Sequence, residues 1–112
     1  RLISYPEAKT DSIFALPEGT TGIDNGGFAG NTHIKEVKLP KSFRIMRWRA
    51  FNGCINLEKL ELPHRKALQA NEHDFFDGCD KLTVYIQEGS LNEQMTGHHV
   101  RHYPQGWQHQ PP

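Results

Sequence analysis

Apolar residues recur along the chain in a Leu-x-x-Leu-x-Leu arrangement that runs into a proline. The arrangement occupies residues 34–39 and 57–62. Its last three positions alternate apolar, polar and apolar, which is the pattern of a short strand with one face against a core. A proline after the strand removes a backbone donor and ends the hydrogen-bond ladder. The prolines that follow this rule are spaced 23 residues apart, at Pro17, Pro40 and Pro63.

A Phe-x-Gly motif followed by Asn or Cys precedes each of these strands. The three copies lie at residues 28–31, 51–54 and 76–79, and the third leads into a further predicted strand at residues 82–86. Glycine permits a backbone turn that a side chain would obstruct. We therefore expect a tight turn in every copy, with the phenylalanines stacked as an aromatic column inside the protein.

A repeat of this length predicts an α/β leucine-rich-repeat solenoid, because periods of about 20 to 29 residues are typical of that class. We expect a right-handed superhelix with a short parallel β-sheet on one face and loops or short helical turns on the other. The whole chain forms one domain in this interpretation. Its parts are an irregular initial half-repeat (1–16), repeats at 17–39, 40–62 and 63–90, the last including the final strand, and a capping or tail segment (91–112).

The outward positions of the predicted strands support one strand register. If residues 34–39 and 57–62 pair in parallel and in register, three charged residues of the first meet three residues of opposite sign in the second. Such a surface is where solenoid proteins commonly receive partners, although solvated charges that neutralise one another are the simpler interpretation. The candidate partner-binding residues are Lys35, Glu36, Lys38, Glu58, Lys59, Glu61 and Tyr85.

The charge balance excludes some partner classes. Thirteen basic and thirteen acidic residues cancel, so the long-range attraction that nucleic acids and anionic membranes require is missing. No apolar run approaches the roughly 20 residues that span a bilayer. The chain starts at Arg1 without a methionine, so we expect a fragment or processed product whose open edge, around residues 2–16, favours self-association.

The cysteines and histidines are the candidate nucleophiles and metal ligands of this chain. Cys54 and Cys79 share one slot in consecutive repeats, and we expect free, buried thiols rather than a disulfide or a nucleophile. His98, His99 and His102 have spacings that place imidazoles on one helical face, but without a carboxylate or cysteine nearby we predict no metal site and no cofactor. A metal-dependent enzyme that uses these histidines is the least favoured alternative, and we assign no catalytic residues.

Two tryptophans supply a second functional hypothesis. We expect Trp48 to pack along the outer side of its repeat and Trp107 to fasten the tail onto the last repeat. Exposed aromatic rings also stack on sugars, so a carbohydrate-binding module that uses Trp48, Tyr85 and Trp107 is the alternative to a protein-binding one.

Residues 40–63 resemble the repeat of the BspA-like bacterial leucine-rich-repeat family, which reads approximately Pro, polar turn, Val/Ile, Ala-Phe-x-x-Cys-x-x-Leu-x-x-Ile-x-Ile/Leu-Pro. The likeness extends over about residues 2–91. It implies an exported or cell-surface bacterial protein engaged in adhesion or protein contact. The family has no catalytic residues that could be matched to positions of this sequence, so the resemblance makes an interaction module the leading hypothesis.

Overall fold

The computed structural model describes residues 1–70 and 75–92, together with the backbone of residues 100–102. The described residues contain eight short strands, and all pairings between them are parallel. The strands are β1 (Leu2–Ile3), β2 (Ile13–Ala15), β3 (Gly22–Ile23), β4 (Glu36–Lys38), β5 (Ile45–Met46), β6 (Lys59–Glu61), β7 (Thr83–Ile86) and β8 (Val100–His102). They form two sheets, so each coil of the chain contributes to both sides of a solenoid.

The larger sheet has five strands in the order β2-β4-β6-β7-β8. Its register confirms the one predicted from charge, because Glu36 pairs with Lys59 and Val37 with Leu60. The inward side chains at these positions, together with Val84, are buried in a single core. The period of the repeat therefore fixes which residues of neighbouring coils lie side by side.

The smaller sheet corrects the α/β prediction. Strands β1, β3 and β5 form it, and a single bridge between Ile45 and Gln69 continues it into the next coil. This sheet occupies the side where we expected loops or short helical turns, and the described residues contain no helix. The stretch between β3 and β4 is occupied by turns in which Gly26 and Gly30 have positive φ, and a helix cannot continue through that backbone conformation.

The Phe-x-Gly turns stack on one another as predicted. Phe28 N donates to Ala50 O at 2.8 Å and Gly30 N to Asn52 O at 2.9 Å, and the next coil repeats the arrangement. Gly53 adopts a φ of +78° and lies against Gly30, so a side chain at this position would be strained. The turns thus form a backbone ladder at the corner between the two sheets.

The aromatic column is confirmed and is one ring longer than predicted. Ring centroids are 5.1 Å apart between Phe28 and Phe51 and 5.9 Å apart between Phe51 and Phe76, in stacked orientation. Tyr5 adds a fourth ring 4.9 Å from Phe28, and its hydroxyl donates to Asp11. Burial and the Asp11 carboxylate raise the pKa of Tyr5 to about 12. The phenol therefore caps the column in its neutral form.

Two buried asparagines hold irregular segments at the ends of the described coils. Asn31 occupies the slot that cysteine fills in later coils, and its amide donates to the carbonyls of Pro6 and Lys9 at 3.2 and 3.1 Å. Asn92 accepts from Leu68 N at 2.8 Å and donates to Lys66 O at 2.8 Å. An amide side chain replaces missing ladder partners at these points, because it offers both donor and acceptor.

Candidate functional site

Four of the predicted partner-binding residues lie together in a groove on the outer face of the five-stranded sheet. Glu36 and Lys38 project from β4, and Lys59 and Glu61 project from β6. The groove has a volume of about 430 Å³ and follows the strand ends towards Pro40 and Pro63. We call it the sheet groove. Alternation along the strands puts these side chains outside, while the residues between them enter the core.

Lys59 is the most constrained side chain of the sheet groove. Its ammonium lies 3.2 Å from a Glu61 carboxylate oxygen and 5.9 Å from the centroid of the Tyr85 ring. Burial opposes the charged form, but the hydrogen bond and charge of Glu61, with the charges of Glu36 and Tyr85, raise the pKa of Lys59. The cation is therefore held in place, which reduces the entropy lost when a partner binds it.

The remaining predicted residues lie beside the sheet groove rather than in its lining. Lys35 and Glu58 precede β4 and β6, where Glu58 N donates to Lys35 O at 2.8 Å, and both side chains are exposed. Tyr85 adjoins the groove through Lys59. Sequence reasoning missed Glu18 and Lys41, which also line it. Both follow a strand-ending proline, and that shared position was the signal that could have revealed them.

The two described aromatic residues of the carbohydrate hypothesis, Trp48 and Tyr85, do not lie on the same sheet. Trp48 is 45% exposed, and the Arg49 guanidinium carbon lies 4.3 Å from its ring centroid. Trp48 follows β5 of the smaller sheet, whereas Tyr85 belongs to β7 of the larger one. Trp107 lies outside the described residues. The two described rings thus belong to different faces of the solenoid.

Both cysteines are free and fully buried, as predicted. The Cys54 thiol donates to Phe28 O at 3.0 Å, and the Cys79 thiol donates to Phe51 O at 3.1 Å. Burial raises the pKa of each thiol to about 12. Each cysteine therefore acts as a small apolar residue that links one coil to the carbonyl of the coil before it.

The native chain is expected to resist thiol labelling. At pH 8 iodoacetamide should leave Cys54 and Cys79 unmodified in buffer, because only the thiolate reacts and the buried native thiols stay protonated. In urea both thiols are exposed to solvent and should be modified. The same burial makes stability depend on pH, because an unfolded thiol ionises at about pH 8.5 and a native one at about pH 12. Between these values only the unfolded state loses the thiol protons, so the free energy of unfolding falls as pH rises. Equal labelling rates with and without urea, measured by mass spectrometry, would contradict the buried arrangement.

Most of the C-terminal histidines lie outside the described residues. His98, His99 and His109 lie outside the described residues, and His102 belongs to β8, so the helical spacing considered for it is wrong at residues 100–102. In the described ranges, no group of three or more His, Cys, Asp or Glu side chains is placed to hold a metal ion. Within the same ranges, no helix has the length and apolar character needed to cross a membrane.

Comparison with known proteins gives one match. The family profile described as BspA type leucine rich repeat region matches residues 7–96, in six copies. Neither the curated proteins nor the solved structures gave a match. The profile covers most of the chain and confirms the resemblance found in its repeats.

Proposed function

Because the chain belongs to the BspA-type leucine-rich-repeat family, we propose that it is a non-catalytic protein-interaction module that receives its partner in the sheet groove. The observation that carries this proposal is the convergence of Glu36, Lys38, Lys59 and Glu61 on one groove. Repeat proteins of this class typically bind partners rather than perform chemistry, and their specificity lies in surface residues of a rigid scaffold.

The charges of the sheet groove favour a partner with a matching mixed surface. Both signs alternate between β4 and β6, and Lys59 is ordered by Glu61 before any partner arrives. A partner with one sign of charge would meet repulsion at every second position. Short-range complementarity therefore determines binding here, with Tyr85 as the aromatic anchor beside the charges.

The setting of this interaction is part of the proposal. Members of the family are commonly associated with cell surfaces, and we propose an exported or surface-displayed bacterial protein that acts in adhesion, with this chain as a portion of a longer protein. Edge strands β1 and β2 and the exposed Ile13 side chain at the first coil would permit self-association in the absence of a preceding repeat.

Binders selected from a displayed library of small protein domains will test the sheet groove. We expect their affinity to fall at least about tenfold for Lys59→Ala/Tyr85→Ala, because the variant removes the ordered cation and the aromatic anchor. Arg47→Glu, an exposed change on the other sheet, should leave affinity within about twofold. Titration of purified binders measures both. Binders that ignore the double variant would place the interaction elsewhere.

The carbohydrate alternative rests on Trp48 among the described aromatics. Its exposed ring offers a stacking surface, but Arg49 already lies over it. Sugar-binding sites gain affinity from several aromatic rings on one face, and Tyr85 belongs to the other sheet. A protein partner at the sheet groove is therefore the better-supported function.

A further inference from the structure

A second groove adjoins the sheet groove at Lys41 and Pro63, which line both, and its charged residues are all basic. Its charged lining consists of Lys41, Arg44 and Lys66, with His64 beside them and no acidic residue. Its volume is about 410 Å³. We call it the basic groove. Sites of roughly 300 to 1,000 Å³ hold small ligands or a few side chains of a partner.

The basic groove exists because the third coil is longer than the others. Partner residues of β3 and β5 are 23 positions apart, whereas Ile45 pairs with Gln69, 24 positions later. The extra residue lies in the loop at residues 64–68, where Leu68 enters the core and the side chains at 65–67 are exposed. The Asn92 amide fixes this loop through Leu68 N and Lys66 O. The hydrogen bonds of Asn92 therefore fix the shape of the groove between two coils.

The cations of the basic groove have no ion-pair partner among the residues that the structure describes. Lys41, Arg44 and Lys66 are exposed, and within residues 1–70 and 75–92 no carboxylate forms an ion pair with any of them. His64 Nε2 donates to Phe43 O at 2.6 Å, which fixes the ring beside these cations. An anionic group in the groove would pair with these three exposed cations.

The limited extent of the positive charge decides between anionic partners. A nucleic acid or a sulfated polysaccharide would extend from the basic groove into the adjoining sheet groove, which is lined by Glu18, Glu36 and Glu61. Like charges would oppose it there, and the chain has a net charge of zero. Pro63 and Ala67 add apolar lining between the cations. A short ligand that carries carboxylates as well as apolar side chains matches this combination of cations and apolar lining.

We propose that the basic groove binds a short acidic peptide segment of a protein partner. Its carboxylates face Lys41, Arg44 and Lys66, and its apolar side chains pack on Pro63 and Ala67. Guanidinium and ammonium groups bind carboxylates through charge-assisted hydrogen bonds. This contact shares Lys41 and Pro63 with the sheet groove but does not involve Lys59 or Tyr85, so the two grooves can be tested separately.

A labelled eight-residue peptide with four glutamates and two leucines tests the proposal by fluorescence anisotropy in low salt. We expect saturable binding to the full chain that weakens at least about tenfold for Arg44→Glu/Lys66→Glu, since two attractive pairs become repulsive. Arg47→Glu is the matched control, because it reverses an exposed cation of the same segment outside the groove lining. It should change the affinity less than about twofold.

Two further arms separate this proposal from its alternatives. A peptide in which glutamine replaces every glutamate should not bind. The variant Lys59→Ala/Tyr85→Ala should bind the acidic peptide as the native chain does, and this result distinguishes the basic groove from the sheet groove. Equal binding of the peptide to the native chain and to Arg44→Glu/Lys66→Glu overturns the proposal. So does a sulfated oligosaccharide that binds more tightly than the peptide and is lost in the same variant. Circular dichroism of each variant verifies folding.

Discussion

Replacement of Phe51 by alanine is expected to lower the free energy of unfolding by about 3 to 5 kcal/mol. The side chain is fully buried and stacks between Phe28 and Phe76 in the middle of the aromatic column. The change removes the transfer free energy of the ring and leaves a cavity between rigid coils that cannot collapse, because their backbones are joined by the turn ladder. Such a loss is a large fraction of the roughly 5 to 15 kcal/mol typical of a domain.

Urea denaturation followed by circular dichroism measures this effect. Phe14→Ala is the matched control, because Phe14 lies at the first coil, is only half-buried and has neighbours on fewer sides. Its cost should be less than half that of Phe51→Ala. A loss below about 1 kcal/mol for Phe51→Ala would show that the column is loosely packed.

Replacement of Gly22 by alanine is expected to cost about 3 kcal/mol by overpacking. Gly22 lies in β3, the middle strand of the smaller sheet, between Leu2 and Ile45. A Cβ atom there would lie 2.4 Å from Ile45 O and 2.6 Å from Ile45 Cβ. Backbone atoms must therefore shift, and the parallel pairing of β3 with β5 weakens.

Gly19→Ala separates this steric effect from the general cost of replacing glycine. Gly19 has a φ of +90° and no atom within 4 Å of an added Cβ, so its substitution strains only the backbone, by about 1 kcal/mol. The two variants are compared by thermal and urea unfolding. If Gly22→Ala is no more harmful than Gly19→Ala, the smaller sheet is more open than its strand distances indicate.

Phe51→Ala and Gly22→Ala act in neighbouring repeats and on different parts of the solenoid. Phe51 contacts the coils on both sides, whereas Gly22 controls the approach of strands in the smaller sheet. Stability in a solenoid is approximately the sum of coil and neighbour terms, so damage in a central coil separates the coils that flank it. A chain of so few coils has little left to fold once that contact is lost.

Much of the larger sheet could be predicted from the order of the residues. The 23-residue spacing places Val37 beside Leu60, and the outward charges of Glu36 and Lys59 select the same register. The aromatic column followed from the Phe-x-Gly spacing in the same way. These features are periodic, and a periodic sequence in a solenoid sets its own neighbours, because every coil stacks directly on the one before.

The smaller sheet and the cap of the column were missed for a local reason. Strand β5 has only two residues, Ile45 and Met46, which is too short for an alternating pattern to be distinguished from a turn. Tyr5 lies outside any full copy of the motif, so its place against Phe28 depends on how residues 4–11 fold back over the first coil. Neither feature has a regular spacing in the sequence from which it could be predicted.

The sequence by itself determined the family, the parallel register and the outward charges of the sheet groove, because all three depend on the length of the repeat and on the residue types at its fixed positions. The tertiary structure alone decided where the cations of residues 41–66 lie. Lys41 and Lys66 are 25 residues apart in a chain of zero net charge, and one added residue in the third coil opens the space between them. A departure from the period changes the shape of the surface, and its result depends on how the longer loop packs against its neighbours.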